Sequence, residues 1–339
     1  MLRRIALLTL SALLQLYTAG AQQQTSQEPP KQQVSASAPS QPPTFGQSLR
    51  KSVGFLTVKY LKDGTTMQIS GTCFFVFYED KRLGENRGFR YLVTNRHMAV
   101  PGAELGTSYP VQQMSVRLNL RNPSAGKESE EAYIPLGGGM HWILPTDGSV
   151  DLAVLPASPD QNRYDYLDVP GSILASQDQI KSSNIDAGDN VVFAGYFVQF
   201  PGQKKIQPVV RQGVLSMMPD ELMETTLRKP GHLYLADVHA FHGNSGSPMF
   251  VNLGGLRNGN LMLGASYLLL GVISGYYLED ADFKLTVATT FEGTLHGNSG
   301  ISIVVPAYEL KTVLDLPPLQ GSRDAYVKHL ENEKNKKDH

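Results

Sequence analysis

The sequence predicts an all-β protein, either a barrel or a sandwich. From about Gly46 onward, short runs rich in β-branched and aromatic residues alternate with turn residues, as in VGFLTVKY, FRYLVTN and NVVFAGYFV. Glycines lie at the bends, and few segments have a helical pattern. Many short strands separated by such turns are typical of barrels and sandwiches. One short helix is predicted after Pro306, over AYELKTVLDL, before Pro317 and Pro318.

The first 44 residues predict a secretory signal and a tether. Two arginines precede an apolar run over residues 5–16, and the small residues at 19–21 fit a cleavage site, so 1–21 is the predicted signal peptide. Residues 22–44 are rich in Gln, Ser and Pro, which predicts a disordered tether. An uncleaved anchor is the alternative, but the apolar run is short for a bilayer. We therefore expect a secreted or periplasmic protein with no stable membrane span after cleavage.

Charge and cysteine content exclude several classes of partner. The net charge is −1 and no basic block lies before the tail, so no nucleic-acid partner is expected. Cys73 is the only cysteine, which rules out an intrachain disulfide and a cysteine zinc site, and its apolar run predicts an inert core thiol. His239, His242 and His296 raise the question of a metal, but H-x-x-H in a β-loop is weak evidence for zinc. Neither a metal nor a cofactor is expected.

One apolar stretch has two interpretations. Residues 261–278, LMLGASYLLLGVISGYYL, could be mistaken for a membrane span. The stretch contains glycines, serines and tyrosines and lies between strand-like runs, so it predicts one or two buried strands.

Three motifs together suggest nucleophilic catalysis. Ser245 lies in FHGNSGSPMF, His97 follows the apolar run in FRYLVTNRHMAV, and Asp151 precedes the apolar run in SVDLAVLP. A serine hydroxyl needs a base within hydrogen-bond reach, and the base needs a third group to orient it. Each motif alone also fits a structural role: a Gly-Asn turn, a core histidine or a turn-capping carboxylate. The order His, Asp, Ser differs from that of α/β-hydrolases and subtilisin-type enzymes, and Ser247 breaks the G-x-S-x-G elbow.

From about Gly46 to Leu316 the chain resembles the chymotrypsin-fold (trypsin-like) serine peptidases, in particular the bacterial HtrA protease domain and the glutamyl-endopeptidase group. GTCFFVF with YLVTNRHMAV is similar to the family's histidine block, VDLAVL to its aspartate block and GNSGSPMF to its nucleophile block. The resemblance implies two six-stranded antiparallel β-barrels with a short C-terminal helix. It implies a peptidase domain over 45–317, without a PDZ domain, followed by a charged tail over 318–339 that is either helical or frayed.

The resemblance also implies a role for each motif. His97 corresponds to the general base, Asp151 to the residue that orients it and Ser245 to the nucleophile. The N–H groups of Gly243 and Ser245 correspond to the oxyanion hole, and Gly243 allows backbone angles closed to other residues. LLGVISGYY is similar to the strand that binds the substrate backbone. The residues that we expect to contact substrate are His239, Ala240, His242, Ser274, Gly275 and Tyr276.

Departures from the family limit these expectations. Asn244 occupies the position of an aspartate that pairs with a newly cut N-terminus, so activation by N-terminal insertion is not expected. Ala240 and Ser274 stand near the positions of a threonine and a histidine of glutamyl endopeptidases, so strict glutamate preference is not expected. The pocket segments carry no carboxylate, which disfavours basic side chains, and Tyr276 suggests a preference for small or medium apolar ones.

Three functions stay open at this stage. The first is a secreted or periplasmic serine endopeptidase that cleaves protein or peptide substrates through an acyl-enzyme. The second is a catalytically silent, protease-like binding protein, and the third is ester hydrolysis on the same residues. A second HGNSG at 296–300 predicts only a turn, so Ser299 is not the nucleophile. The natural substrate and the oligomeric state are left open.

Overall fold

The computed structural model describes residues 43–124, 126–135, 141–262, 264, 266–286 and 290–337. The predicted signal peptide and all but the last two residues of the predicted tether lie outside this part of the chain.

Strands make up the largest share of the regular structure in the described chain. The strands are β1 (Val53–Lys62), β2 (Thr65–Glu79), β3 (Gly88–Thr94), β4 (Val111–Ser124), β5 (Lys127–Tyr133), β6 (Ala153–Pro156), β7 (Val169–Pro170), β8 (Asn190–Gly195), β9 (Val209–Met217), β10 (Met223–Glu224), β11 (Pro230–Gly231), β12 (Tyr234–Asp237), β13 (Pro248–Asn252), β14 (Gly255–Arg257), β15 (Asn260–Met262), β16 (Tyr267–Thr286) and β17 (Thr290–Pro306). The helices are α1 (Phe45–Lys51), α2 (Arg96–Ala99), α3 (Gln177–Ser182), α4 (Ala307–Leu314) and α5 (Pro317–Lys337).

The N-terminal sheet follows the antiparallel order β5-β4-β1-β2-β3-β6, with β7 parallel to β2. Side chains alternate between the two faces of a strand, and β2 shows what this does. Cys73 and Phe75 lie in the core of this sheet, whereas Phe74 and Val76 lie in the larger core shared with the second barrel. One strand therefore serves both cores, which fixes how the two halves pack.

The C-terminal half is a closed six-stranded barrel in the order β12-β17-β16-β13-β8-β9, closed by pairing of β9 with β12. The two six-strand arrangements and the helix after Pro306 confirm the predicted fold class. The apolar stretch over 261–278 begins in β15 and continues into β16, where Leu269 and Ile273 are buried. In the described part of the chain, no helix has the length and apolar character to cross a membrane.

The charged tail forms α5, which packs on β3. Leu319, Arg323 and Val327 are spaced four residues apart and are buried along one face of the helix. The Arg323 guanidinium donates to the Tyr91 hydroxyl at 3.0 Å and to the Leu314 carbonyl at 2.9 Å. The Arg323 Cζ atom lies 4.3 Å from the centroid of the Tyr78 ring. Because β3 leads directly to His97, α5 supports the strand that carries the predicted base.

Arg323→Met should destabilise the fold by about 2–4 kcal/mol, because the Tyr91 hydroxyl and the Leu314 carbonyl lose a charged donor inside the protein. Urea unfolding followed by circular dichroism measures the change. The control is Lys328→Met, an exposed cation on the same helix. Equal unfolding midpoints for the two variants would show that the Arg323 hydrogen bonds do not stabilise the fold.

Candidate active site

The pairing of β3 with β6 brings His97 and Asp151 together. In the antiparallel register Thr94 faces Ala153, so the residue that follows β3 and the residue that precedes β6 lie at the same end of the sheet. Asn95 stands between them, and its amide donates to the Asp151 carbonyl at 2.8 Å. The His97 backbone N–H donates to Asp151 Oδ1 at 3.0 Å, and His97 Nδ1 lies 2.7 Å from Oδ2.

The Asp151 carboxylate is fully buried, so it needs several donors to remain charged. Besides His97, two hydroxyls from the C-terminal barrel reach Oδ2: Ser274 at 2.6 Å and Thr226 at 2.9 Å. Ser274 and Thr226 lie 2.5 Å from each other. The carboxylate is thus held from both barrels at once.

Sequence reasoning missed Thr226. It lies in a loop between β10 and β11 and belongs to none of the sequence blocks used above. The Thr226 methyl group also restricts the space for a side chain at position 275, because a Cβ added to Gly275 would lie 2.9 Å from Thr226 Cγ2. Ser274 was predicted among the substrate-contacting residues; it lies at a register shift where it has no partner in β17, and its hydroxyl reaches Asp151.

The charges of the pair stabilise one another. Burial opposes the charged form of His97, whose side chain is 20% exposed, but the Asp151 carboxylate outweighs it and raises the pKa of the ring above 6.5. Burial likewise opposes ionisation of Asp151, but the His97 charge and the hydrogen bonds lower the pKa of the carboxyl. The geometry fixes the ring with Nδ1 toward the carboxylate and leaves Nε2 for a reaction partner.

The nucleophile loop, residues 238–247 between β12 and β13, is held on two sides. The Thr72 N–H from β2 donates to the Ser245 carbonyl at 2.8 Å, and the Gly246 N–H donates to the Ile273 carbonyl at 2.8 Å. Gly246 has φ +87°, and a Cβ there would lie 2.0 Å from the Thr72 carbonyl oxygen, so only glycine fits. The GNSGS sequence therefore fixes a tight loop against the N-terminal barrel.

The Ser245 hydroxyl lies within the same hydrogen-bonded network but not on the histidine. It donates to the Ser274 carbonyl at 3.3 Å, and no hydrogen bond joins it to the His97 ring, both residues being described. Ser274 in turn bonds Asp151, which bonds His97. The structure therefore brings the three predicted residues together around Ser274, with the hydroxyl turned toward the main chain.

The two N–H groups predicted for an oxyanion hole are both available. Gly243 has φ +96°, and within the described chain neither its N–H nor that of Ser245 has an acceptor. The Gly243 carbonyl points the other way and accepts from the Thr72 hydroxyl at 2.8 Å. The loop thus presents two free donors next to the candidate nucleophile.

Asn244 uses its side chain inside the loop. Its Oδ1 accepts from the Phe241 N–H at 2.8 Å, and its Nδ2 donates to the Tyr196 carbonyl at 2.7 Å. The side chain is buried, with 1% exposure. Both ends of the neutral amide are therefore used by main-chain groups.

The predicted substrate-contacting residues fall in two segments. Gly275 and Tyr276 pair with Ile303 and Ser302 on β17, and Ser274 precedes them. In the other segment Ala240 is buried, whereas His239 and His242 are exposed. The His239 and Phe241 ring centroids lie 6.2 Å apart.

The sequence predicted a turn at the second HGNSG, but in the structure this segment is part of β17. A register shift between Tyr276 and Leu278 leaves Ser299 in a bulge, and its hydroxyl donates to the Tyr277 carbonyl at 2.9 Å. Asn298 donates to the Ala240 carbonyl at 2.7 Å. The bulge therefore joins the two substrate segments, a role that the motif alone does not show because a glycine-rich run fits a turn or a bulge equally.

Cys73 and the possible metal ligands were the other reactive side chains considered from the sequence. Cys73 is fully buried in the N-terminal core, as predicted, and burial raises the pKa of its thiol. In the described part of the chain, no group of three His, Cys, Asp or Glu side chains could hold a metal ion.

The strand arrangement agrees with the trypsin-like fold predicted from the sequence, since a closed six-stranded barrel packs with a sheet whose main path has six strands. No protein-family model and no curated protein matches the chain. Among solved structures it is similar to "HtrA-type protease AlgW with decapeptide", with 16% identity and a TM-score of 0.43, covering 78% of this chain and 64% of that chain. It is similar also to Deg5, with 17% identity and a TM-score of 0.38, covering 67% and 81%. Likeness at this level concerns the fold alone, so the chemistry rests on the residues of the site.

We expect the His97 ring, followed by NMR, to titrate above pH 6.5 in the wild type. In Asp151→Asn the midpoint should fall below 6.5, because burial then acts without the opposing carboxylate. The control is Asp178→Asn, an exposed carboxylate on α3. The assigned coupling is wrong if His97 titrates at the same pH in the wild type and in Asp151→Asn.

Proposed function

We propose that the protein is a serine endopeptidase that acts through an acyl-enzyme. The observation that carries the proposal is the placement of the His97–Asp151 pair and Ser245 on either side of Ser274, beside two free N–H donors. In the reaction His97 Nε2 takes the Ser245 proton as Oγ attacks the substrate carbonyl. The N–H groups of Gly243 and Ser245 bind the oxyanion, and His97 returns the proton to the leaving amine. Water then attacks the acyl-enzyme in the same manner.

Before this reaction the Ser245 hydroxyl has to leave the Ser274 carbonyl and rotate toward His97. The bond that it gives up is 3.3 Å long and neutral, so the cost of changing between staggered rotamers is small. Asp151 stays charged throughout and stabilises the imidazolium that forms.

The same hydroxyl position favours a second candidate, a catalytically silent binding protein that keeps the fold. In such a protein the serine would stay on the Ser274 carbonyl and no acyl-enzyme would form. The free N–H donors of Gly243 and Ser245 favour the enzyme, because a binding protein has no need of them.

We further propose that the chain acts outside the cytoplasm on protein or peptide substrates. The support is the sequence pattern of residues 1–21.

A fluorophosphonate probe should label the wild type and Ser299→Ala but not Ser245→Ala. The two serines lie in the same HGNSG sequence, so Ser299→Ala is a matched control. Labelling should fall as the pH drops through the raised pKa of His97, because only the neutral ring accepts the proton. Unlabelled wild-type protein over the range where His97 is neutral would support the binding protein instead.

A peptide library should show cleavage after small or medium apolar residues. The described segments 239–242 and 272–276 carry no carboxylate to pair with a basic side chain. We propose that Tyr276 limits the width of the pocket. Tyr276→Ala should shift the preference toward larger apolar residues. Cleavage mainly after basic or acidic residues would refute this assignment of the pocket.

A further inference from the structure

A loop of the C-terminal barrel is fastened to the N-terminal sheet beside the site. Residues 196–208 connect β8 to β9, and their middle is held by two side chains of β4. The Arg117 guanidinium donates to the Gly202 carbonyl at 2.7 Å and to the Gln203 carbonyl at 2.8 Å. Asn119 accepts from the Ile206 N–H at 2.8 Å and donates to the Ile206 carbonyl at 3.3 Å. We call these contacts of Arg117 and Asn119 the latch.

Strand β5 reinforces the latch. Arg117 Nε donates to the Ser129 hydroxyl at 2.9 Å, and that hydroxyl donates to the Lys204 carbonyl at 2.9 Å. Ser129 and Ile206 are both buried. The guanidinium thus uses all its nitrogens, with two of them on consecutive carbonyls of one loop, which fixes both the position and the direction of the loop.

The beginning of the same loop lies against the candidate oxyanion hole. A Cβ added at Gly243 would lie 2.7 Å from Tyr196 Cδ1 and 2.7 Å from Val198 Cγ2. The Tyr196 carbonyl accepts a hydrogen bond from the Asn244 side chain. The Tyr196 N–H donates to the Thr72 hydroxyl, which in turn donates to the Gly243 carbonyl. Tyr196 is therefore the neighbour that sets the backbone of Gly243 and Asn244.

Arg117 is also linked to Tyr196 through Phe55 of β1. It pairs with Phe55 in the β1–β4 register, and the Phe55 ring meets the Tyr196 ring edge-on at 4.3 Å between centroids. Burial raises the pKa of the Tyr196 hydroxyl, and the Arg117 charge acts against this rise, which agrees with their closeness.

We propose that Arg117 is a positioning residue for the oxyanion hole, acting through the 196–208 loop. The inference rests on the proposed function, since it concerns how the same site is made competent. A loop of this length that is free along its whole course has many conformations, and the latch removes most of them by fixing residues 202–206. Orientation of the Gly243 N–H then depends on a cation in the other barrel.

The test compares Arg117→Met with Arg121→Met. Arg121 is on the same strand, but its guanidinium donates to the Gln161 carbonyl within its own half, so its variant is a matched control. For Arg117→Met we expect a maximal rate of fluorophosphonate labelling about tenfold lower, with the half-saturating probe concentration unchanged. Complete loss of an oxyanion donor costs about 10²–10³, and displacement of one costs less.

Hydrogen exchange read by mass spectrometry gives a measurement that does not depend on activity. Arg117→Met should exchange faster in segments 196–208 and 241–247, whereas Arg121→Met should match the wild type in both. Asn119→Ala, which removes only the Ile206 contacts, should act in the same direction but less, and it serves if Arg117→Met does not fold.

Two results would overturn the inference. One is faster exchange confined to 196–208, with 241–247 unchanged; the other is an equal labelling rate for Arg117→Met and Arg121→Met. If the wild type is not labelled at all, the proposed function is wrong, and the exchange of 241–247 alone decides whether Arg117 positions the loop.

Discussion

The structure depends on one buried charge. The Asp151 carboxylate has no exposure, and an ionised carboxylate inside a protein is tolerated only when donors surround it. Its donors come from both halves of the molecule, because His97 belongs to the N-terminal sheet and Thr226 and Ser274 to the C-terminal barrel. Both halves therefore contribute to one set of hydrogen bonds, and neither half alone supplies all the donors of the carboxylate.

The nucleophile loop obeys the same constraint from the other side. Thr72 is a fully buried residue of the N-terminal sheet, yet its N–H, hydroxyl and carbonyl are all used at the barrel interface or next to it. Its contacts with Gly243 and Ser245 place the candidate oxyanion donors relative to β2, the same strand that contributes to both cores. Packing of apolar side chains and placement of catalytic groups thus use one interface, and a shift of one barrel against the other would disturb both.

Much of this architecture could be predicted from the sequence, since runs rich in β-branched and aromatic residues and motifs at strand ends depend on local patterns. His97 and Asp151 follow from such patterns, because both flank apolar runs that pair as β3 and β6. Thr226 could not be predicted, since a threonine in an irregular loop is recognised only when the fold brings it to Asp151. The bulge at Ser299 escaped for a different reason: glycine and asparagine allow turns and bulges alike, and only pairing with β16 decides between them.

Asn244 shows where control of the site can reside. In this loop both ends of its amide are satisfied by main-chain groups, at Phe241 and at Tyr196, so the loop needs no charged terminus to hold its form. The first anchor, Phe241, lies within the nucleophile loop itself, so its position is not independent of that loop. The other, Tyr196, begins a long connection whose middle is fixed to the opposite barrel. The connection from β8 to β9 therefore acts together with the Thr72 and Ile273 contacts in holding the nucleophile loop, and it ties the Asn244 anchor to the N-terminal sheet.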